Sequence, residues 1–307
     1  PKEVQDAWGE ECMDLVTADY GNTILQSTAR NAYAAERMKR MMKRTVWALG
    51  RQIQKGLFVP ENYEISFSGV SDLEAVNITL SPEEELRLKG RIDRMDTCEE
   101  EKKVYVKVID YKSGNTSFQL LSLYHGLQLQ LVVYLNAAME LAAREHPGKE
   151  IHPAGIFYYQ IQDPVLELEA REEGADLNER VMEKLKLSGL VNKDPEVIQK
   201  LDQDMPGKSS VLPLSYNKDG SLRAGSSVAA ERQFEALSAF VNRKIQKLGS
   251  EILEGRADVN PYELKGKTAC DYCAYRGVCG LDPKDEGYGM RRLKVFEDAE
   301  IWERIEE

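Results

Sequence analysis

The stretch Val104–Gly114, VYVKVIDYKSG, read with Gly90–Asp96, GRIDRMD, constrains the fold most. Val104, Val106 and Val108 recur with period two, which predicts a half-buried strand. Side chains alternate along a strand, so Asp110 and Lys112 continue the valine face. Asp93 ends an earlier strand-like run, Leu86–Ile92, and the Glu-rich stretch 97–103 is expected to close the two runs as a hairpin. Two carboxylates and a lysine then meet at one sheet end. Hard divalent cations take carboxylate oxygens and leave sites for water and phosphate. A neighbouring lysine can position that water or offset developing charge. The set points to cation-assisted chemistry on a phosphodiester.

Composition bounds this reading. With 307 residues, 42% of them hydrophobic, one large domain or one domain with an appendage is expected. No apolar run approaches the roughly 20 residues of a membrane span, and no signal peptide is visible at the start. The chain opens on Pro1 without methionine, so it is expected to be a processed product or a fragment of a longer protein. A net charge of -11, taken alone, argues against a nucleic-acid coat protein, whose affinity rests on basic surface, but leaves room for a local basic groove. That bias exists in the helix predicted over 24–54, expected to be capped by Thr23 and ended by Gly56. It carries many cations and the single acid Glu36. Arg37, Lys39, Arg40, Lys43 and Arg44 are its candidate DNA contacts; a merely solvated helix face is the other reading.

The five cysteines do not form a secreted disulfide framework and suggest a reducing, intracellular location. Cys270, Cys273 and Cys279 cluster with spacing that suits zinc or an iron–sulfur cluster, and the sequence alone favours zinc because structural zinc sites are commoner. Strands are expected over 63–68, 74–80, 154–160 and 165–169. A helix over 120–145 carries Gln130 and Tyr134 four residues apart and so on one face, with Gln128 competing for Gln130's place. A hairpin with an Asp219-Gly220 turn is predicted over 211–224. A helix follows over 229–254, and the chain closes on a charged, tail-like helix.

In order and spacing, GRID, IDYKSG and QLVVY resemble the PD-(D/E)xK nuclease superfamily, and most of all its RecB-like branch. Within that branch, residues 23–296 resemble the C-terminal nuclease domain of the B subunit of bacterial AddAB (RexAB) helicase–nucleases, where GRIDR, YGLQLQL-type and PAGIFYY-type runs recur. The resemblance implies an α/β fold, a restriction-endonuclease-like mixed sheet flanked by helices, with a helical N-terminal segment and a Cys-rich C-terminal one. It divides one nuclease domain into a basic helical part (1–56), a core (57–169), an insertion with a hairpin (170–228) and a C-terminal helix, cysteine cluster and tail (229–307).

The resemblance also implies an activity: Mg²⁺- or Mn²⁺-dependent exonuclease cleavage of DNA, as single strands or double-strand ends, in recombinational repair in the bacterial cytoplasm, beside an A subunit. Asp93, Asp110 and the Tyr111 carbonyl correspond to the metal ligands, Lys112 to the catalytic lysine, and Gln130 and Tyr134 to the supporting Gln-Tyr motif. Cys270, Cys273 and Cys279 correspond to three ligands of a [4Fe–4S] cluster. The family's fourth cysteine sits in an upstream Cys-Pro context that neither Cys12 nor Cys98 has, so it is expected outside this chain. The family's upstream metal-binding histidine has no counterpart, because His125, His146 and His152 all follow Lys112. The alternative is a nuclease-fold module that only grips DNA or a partner subunit, stapled by a cysteine-ligated metal.

Overall fold

The computed structural model describes residues 2–21, 23–66, 73–166, 177–205, 207–282 and 289–307. Two helices come first, α1 (Lys2–Asp19) and α2 (Ala29–Lys55). Strand β1 (Val59–Ser66), the small hairpin of β2 (Asn77–Ser81) and β3 (Glu84–Arg87), and the central pair β4 (Arg91–Glu99) and β5 (Lys103–Lys112) follow. Helices α3 (Leu120–Tyr124) and α4 (Gln130–Glu145) lead into β6 (Glu150–Gln160). Then come α5 (Leu177–Lys184), β7 (Ser188–Asn192), α6 (Pro195–Leu201), β8 (Val228–Ala229) and α7 (Glu231–Leu253). The C-terminal part holds β9 (Tyr262–Leu264), β10 (Lys267–Thr268), α8 (Arg276–Cys279), β11 (Arg291–Arg292) and α9 (Asp298–Glu306).

The central sheet runs β1-β4-β5-β6-β7-β8. It is mixed: β5 pairs with β6, and β7 with β8, in parallel, and the other pairings are antiparallel. The parallel β5–β6 step needs a crossover, which α3 and α4 supply.

The predicted half-buried strand is in fact buried on both faces. Val106 and Val108 join a core with Leu131, Tyr134 and Phe234. Tyr105 and Ile109 join a second core with Phe157, Tyr159, Val181 and Val197. The sequence between 177 and 214 supplies much of that second layer, so the stretch expected as an insertion also gives the sheet a strand, β7. At the β6–β7 contact Gly189 lies opposite Phe157, and a Cβ there would stand 1.9 Å from the Ile156 carbonyl oxygen. Backbone cannot yield as a side chain does, so Gly189→Ala is expected to cost about 3 kcal/mol, the upper range for overpacking. Urea unfolding would show this as a lowered midpoint.

Other boundaries move for local reasons. Thr28 rather than Thr23 caps α2, its Oγ1 accepting from the Asn31 N–H at 3.2 Å. Thr23 takes a left-handed conformation before a 3₁₀ turn at Ile24–Gln26 and makes no cap hydrogen bond. The 120–145 helix is broken at Gly126, whose φ of 85 a helix does not allow. The Leu86–Asp93 run is two strands in two sheets, since Leu86 pairs with Ile78 and β4 begins at Arg91. The 74–80 strand begins with a 3₁₀ turn, Glu74–Val76. Residues 165 and 166 are not strand, and 167–169, like 67–68, lie outside the described residues. The 211–224 hairpin reduces to a single bridge, Tyr216 with Leu222. Finally, α9 is no tail: Ile301 and Ile305, one turn apart, are buried in the first core.

Candidate active site

The β4–β5 register brings the acids together. Arg94 lies opposite Ile109 and Met95 opposite Val108, so the next pair outward is Asp93 with Asp110. Both share the face of Met95, Val106 and Val108, under α4. Asp93 Oδ2 accepts the Tyr111 main-chain N–H at 2.8 Å, which ties one strand's acid to the other strand's turn of chain. Asp110 is 2% exposed. Its Oδ2 lies 2.6 Å from Lys112 Nζ and has no aligned hydrogen-bond donor among the described residues. Burial, chiefly, pushes the Asp110 carboxyl above the usual range; Lys112 opposes this and the Asp93 charge adds to it.

Lys112 is held from three sides. Nζ donates to Gln130 Oε1 at 2.9 Å, and Gln130 Nε2 donates to the Tyr134 hydroxyl at 2.7 Å. Of the two candidate glutamines, Gln130 is the one in contact with Lys112. Gln128 has another task, joining the start of α3: it accepts from the Gln119 N–H and donates to the Ser117 carbonyl. Beneath Lys112, the Tyr158 ring centroid lies 5.4 Å from Nζ. Tyr158 stands beside Asp110 on parallel β6. Burial first, then the charge of Asp110, push its phenol up to about 12, so it stays neutral.

Tyr158 and the network behind the site are not evident from the sequence pattern. On the opposite sheet face, Asp96 receives Arg94 Nε at 2.5 Å and Nη2 at 2.7 Å, with Lys107 Nζ at 2.8 Å. Arg94 Nη1 reaches the Tyr111 hydroxyl at 3.4 Å. Tyr111 thus has its phenol in this network and its amide on Asp93. The signal was present in part: Arg94 and Asp96 alternate in GRIDRMD, but only register places Lys107 opposite Asp96.

A cation suits these groups. A buried carboxylate with an oxygen that no aligned donor satisfies and a second carboxylate beside it are hard-oxygen donors. The histidines take partners elsewhere: His125 at the Lys294 carbonyl, His146 at Glu61 and Glu99, and His152 at Glu231.

The basic helix divides. Arg44 Nε lies 3.7 Å from Asp163 Oδ1, just past Gln160, the residue paired with Lys112; this part of α2 therefore flanks the site end of the sheet. Lys39 pairs with Asp14 at 2.5 Å and Lys43 with Glu10, both acids on α1. Arg37 and Arg40 are exposed.

The cysteines are not gathered. Cys270 is half-buried, while Cys273 and Cys279 are exposed. Among the described residues the one group of three metal-ligating side chains within 4.8 Å of one another is Glu61, Glu145 and His146. Cys98 lies inside β4 rather than in a turn, and burial raises its thiol, as for an inert core cysteine. Cys12 is exposed on α1.

A profile of the PD-(D/E)XK nuclease superfamily matches residues 1–280. The chain belongs to that superfamily. This PD-(D/E)XK chain is 40% identical, over 99% of its length, to the B subunit of the ATP-dependent helicase/deoxyribonuclease of Lachnoclostridium phytofermentans. It is 37% identical over 99% of its length to the B subunit from Alkaliphilus oremlandii, and 36% identical over 100% to that of Caldanaerobacter subterraneus subsp. tengcongensis. In each case it covers 26% of the relative, so it spans about a quarter of the length of the curated relatives it matches.

Proposed function

We propose that this chain is the nuclease part of the B subunit of a helicase/deoxyribonuclease and hydrolyses phosphodiester bonds of DNA with Mg²⁺ or Mn²⁺. The observation that carries the reading is the convergence of Asp93, Asp110 and Lys112 on one sheet end, with Lys112 braced by Gln130 and Tyr134. Asp93, Asp110 and the Tyr111 carbonyl would hold the cation, which when bound polarises the phosphoryl group and acidifies a water. Lys112 orients the attacking water and offsets charge on the phosphoryl oxygens. Gln130 and Tyr134 fix the ammonium, and Tyr158 gives it a neutral aromatic floor.

The wider setting is part of the same proposal. The substrate is a single strand or a double-strand end, the activity is exonucleolytic and serves double-strand break repair, and the A subunit is the partner, in the bacterial cytoplasm. All the described residues serve one nuclease domain. Among the described residues no helix is long and apolar enough to cross a membrane. Cys270, Cys273 and Cys279 would supply three thiolates to a [4Fe–4S] cluster, the fourth ligand coming from elsewhere in the protein.

End-labelled linear DNA incubated with Mg²⁺ should be degraded, and EDTA or Asp93→Asn should stop the degradation. Equal degradation in EDTA, or by Asp93→Asn, would overturn the assignment. Binding with no cleavage under any cation would leave the DNA-gripping module instead.

A further inference from the structure

The eight cations around α2 are not one surface. At roughly 3.6 residues per turn, positions 33, 37, 40, 44, 47 and 51 fall on one helix face. They read Tyr33, Arg37, Arg40, Arg44, Trp47 and Arg51, with no acid among them. Lys39 and Lys43 lie to the side and turn to α1. Arginines alternate with the two rings in space as well. Arg40 stands 6.0 Å from the Tyr33 ring centroid, and Arg44 and Arg51 stand 5.6 and 6.0 Å from that of Trp47.

Within this stripe Arg44 reaches the site end of the sheet, at Asp163. Trp47, Arg40, Lys43 and Arg44 line a cavity of about 200 Å³ together with two acids, Asp6 of α1 and Asp163 beyond β6. Asp163 is three residues past Gln160, the neighbour of Lys112. Tyr33, at the far end, is 64% exposed. At about 1.5 Å per residue the stripe is roughly 27 Å long, enough for several nucleotides.

Its chemistry selects one class of ligand. Arginines bind phosphate irrespective of base. Aromatic rings stack only on bases that are not already stacked in a duplex, so rings between arginines favour an unpaired strand. We propose that the Tyr33–Arg51 face of α2 is the track along which a single DNA strand reaches the carboxylate site, with Trp47 as the stacking position nearest it. The inference rests on the nuclease reading for its direction, but its binding test stands apart from cleavage.

The whole chain carrying Trp8→Phe and Trp302→Phe keeps Trp47 as its one tryptophan. Titrated in EDTA with an oligothymidylate, its fluorescence should be quenched; a duplex of equal length should quench it far less. Trp47→Ala, and independently Tyr33→Ala on the exposed end, should each weaken oligothymidylate binding about tenfold. Arg40→Ala with Arg44→Ala should flatten the salt dependence by about 1.4, the share of two phosphates on a single strand. Equal quenching by duplex, or unchanged affinity in both Tyr33→Ala and the double arginine variant, would overturn the track. Unchanged affinity with Mg²⁺-dependent cleavage intact would sink the track alone. Strand binding as expected without cleavage would sink the nuclease reading alone.

Discussion

Asp110→Asn is expected to lower cleavage by about a thousandfold or more, since a cation's charge stabilisation is worth several kcal/mol and each ~1.4 kcal/mol is tenfold in rate. The same change should leave the protein as stable as before, or more so. Burial is the main reason the Asp110 carboxyl titrates above its ordinary range. A carboxyl raised on folding contributes its full stability below the unfolded pKa, and that contribution is lost as pH rises through the folded value. At neutral pH the ionised Asp110 therefore costs stability, and asparagine removes the charge while keeping the shape. The thermal midpoint of Asp110→Asn should match or exceed the parent's at pH 7, with the gap closing toward about pH 4, the unfolded carboxylate value. A lowered midpoint would mean that Asp110 holds the sheet together, and retained cleavage would mean that it holds no cation.

The largest stability effect is expected behind the site, at Asp96. Its side chain is fully buried and receives both Arg94 and Lys107, themselves almost wholly buried. Burial alone would raise the Asp96 carboxyl; Lys107 and Arg94 outweigh it and hold it below the usual carboxylate range. Asp96→Ala strands two cations in the core, which costs about 3–5 kcal/mol. A depressed carboxyl stabilises above its unfolded pKa and loses that contribution as pH falls through the folded value. The parent should therefore lose stability on acidification below about pH 4, and Asp96→Ala should lose less. Urea unfolding across pH measures both. Asp96→Ala with Lys107→Met should recover part of the loss, because one stranded charge is gone. A change within about 1 kcal/mol for Asp96→Ala, the scale of a surface pair, would contradict the network. Because Arg94 touches the phenol of Tyr111, and the amide of Tyr111 holds Asp93, this variant should also lose cleavage beyond its loss of folded protein.

What was legible in the sequence follows from range. Asp110 and Lys112 are two residues apart on one strand, and strand alternation alone puts them on one face. Gln130 and Tyr134 are one helical turn apart, so their contact is local too. The choice between Gln130 and Gln128 was not local, because it depended on where Gly126 breaks the helix. Tyr158 under Lys112 and Lys107 opposite Asp96 depend on strand register, which no short window shows. β7 was hidden because Ser188–Asn192 is short and has helices on either side. On α2 the composition showed a basic helix, but only the packing of α1 separates Lys39 and Lys43 from the arginine face. The burial of α9 was masked by its charge, since two isoleucines among acids do not read as core.

The most direct test of the two-carboxylate-and-lysine centre is the single-turnover cleavage rate of Lys112→Met with Mg²⁺, beside the parent protein. Lys112 Nζ lies 2.6 Å from Asp110 Oδ2, 2.9 Å from Gln130 Oε1 and 5.4 Å from the Tyr158 ring centroid, all at the site. Loss of a positioned acid–base or charge-offsetting group slows the chemical step by about 10²–10⁴-fold. That slowing, in a protein that still folds cooperatively but with a lowered urea midpoint because the buried Asp110 has lost its ammonium partner, is the predicted result. A folded Lys112→Met that cuts DNA at the parent's rate would place the chemistry somewhere else on the molecule.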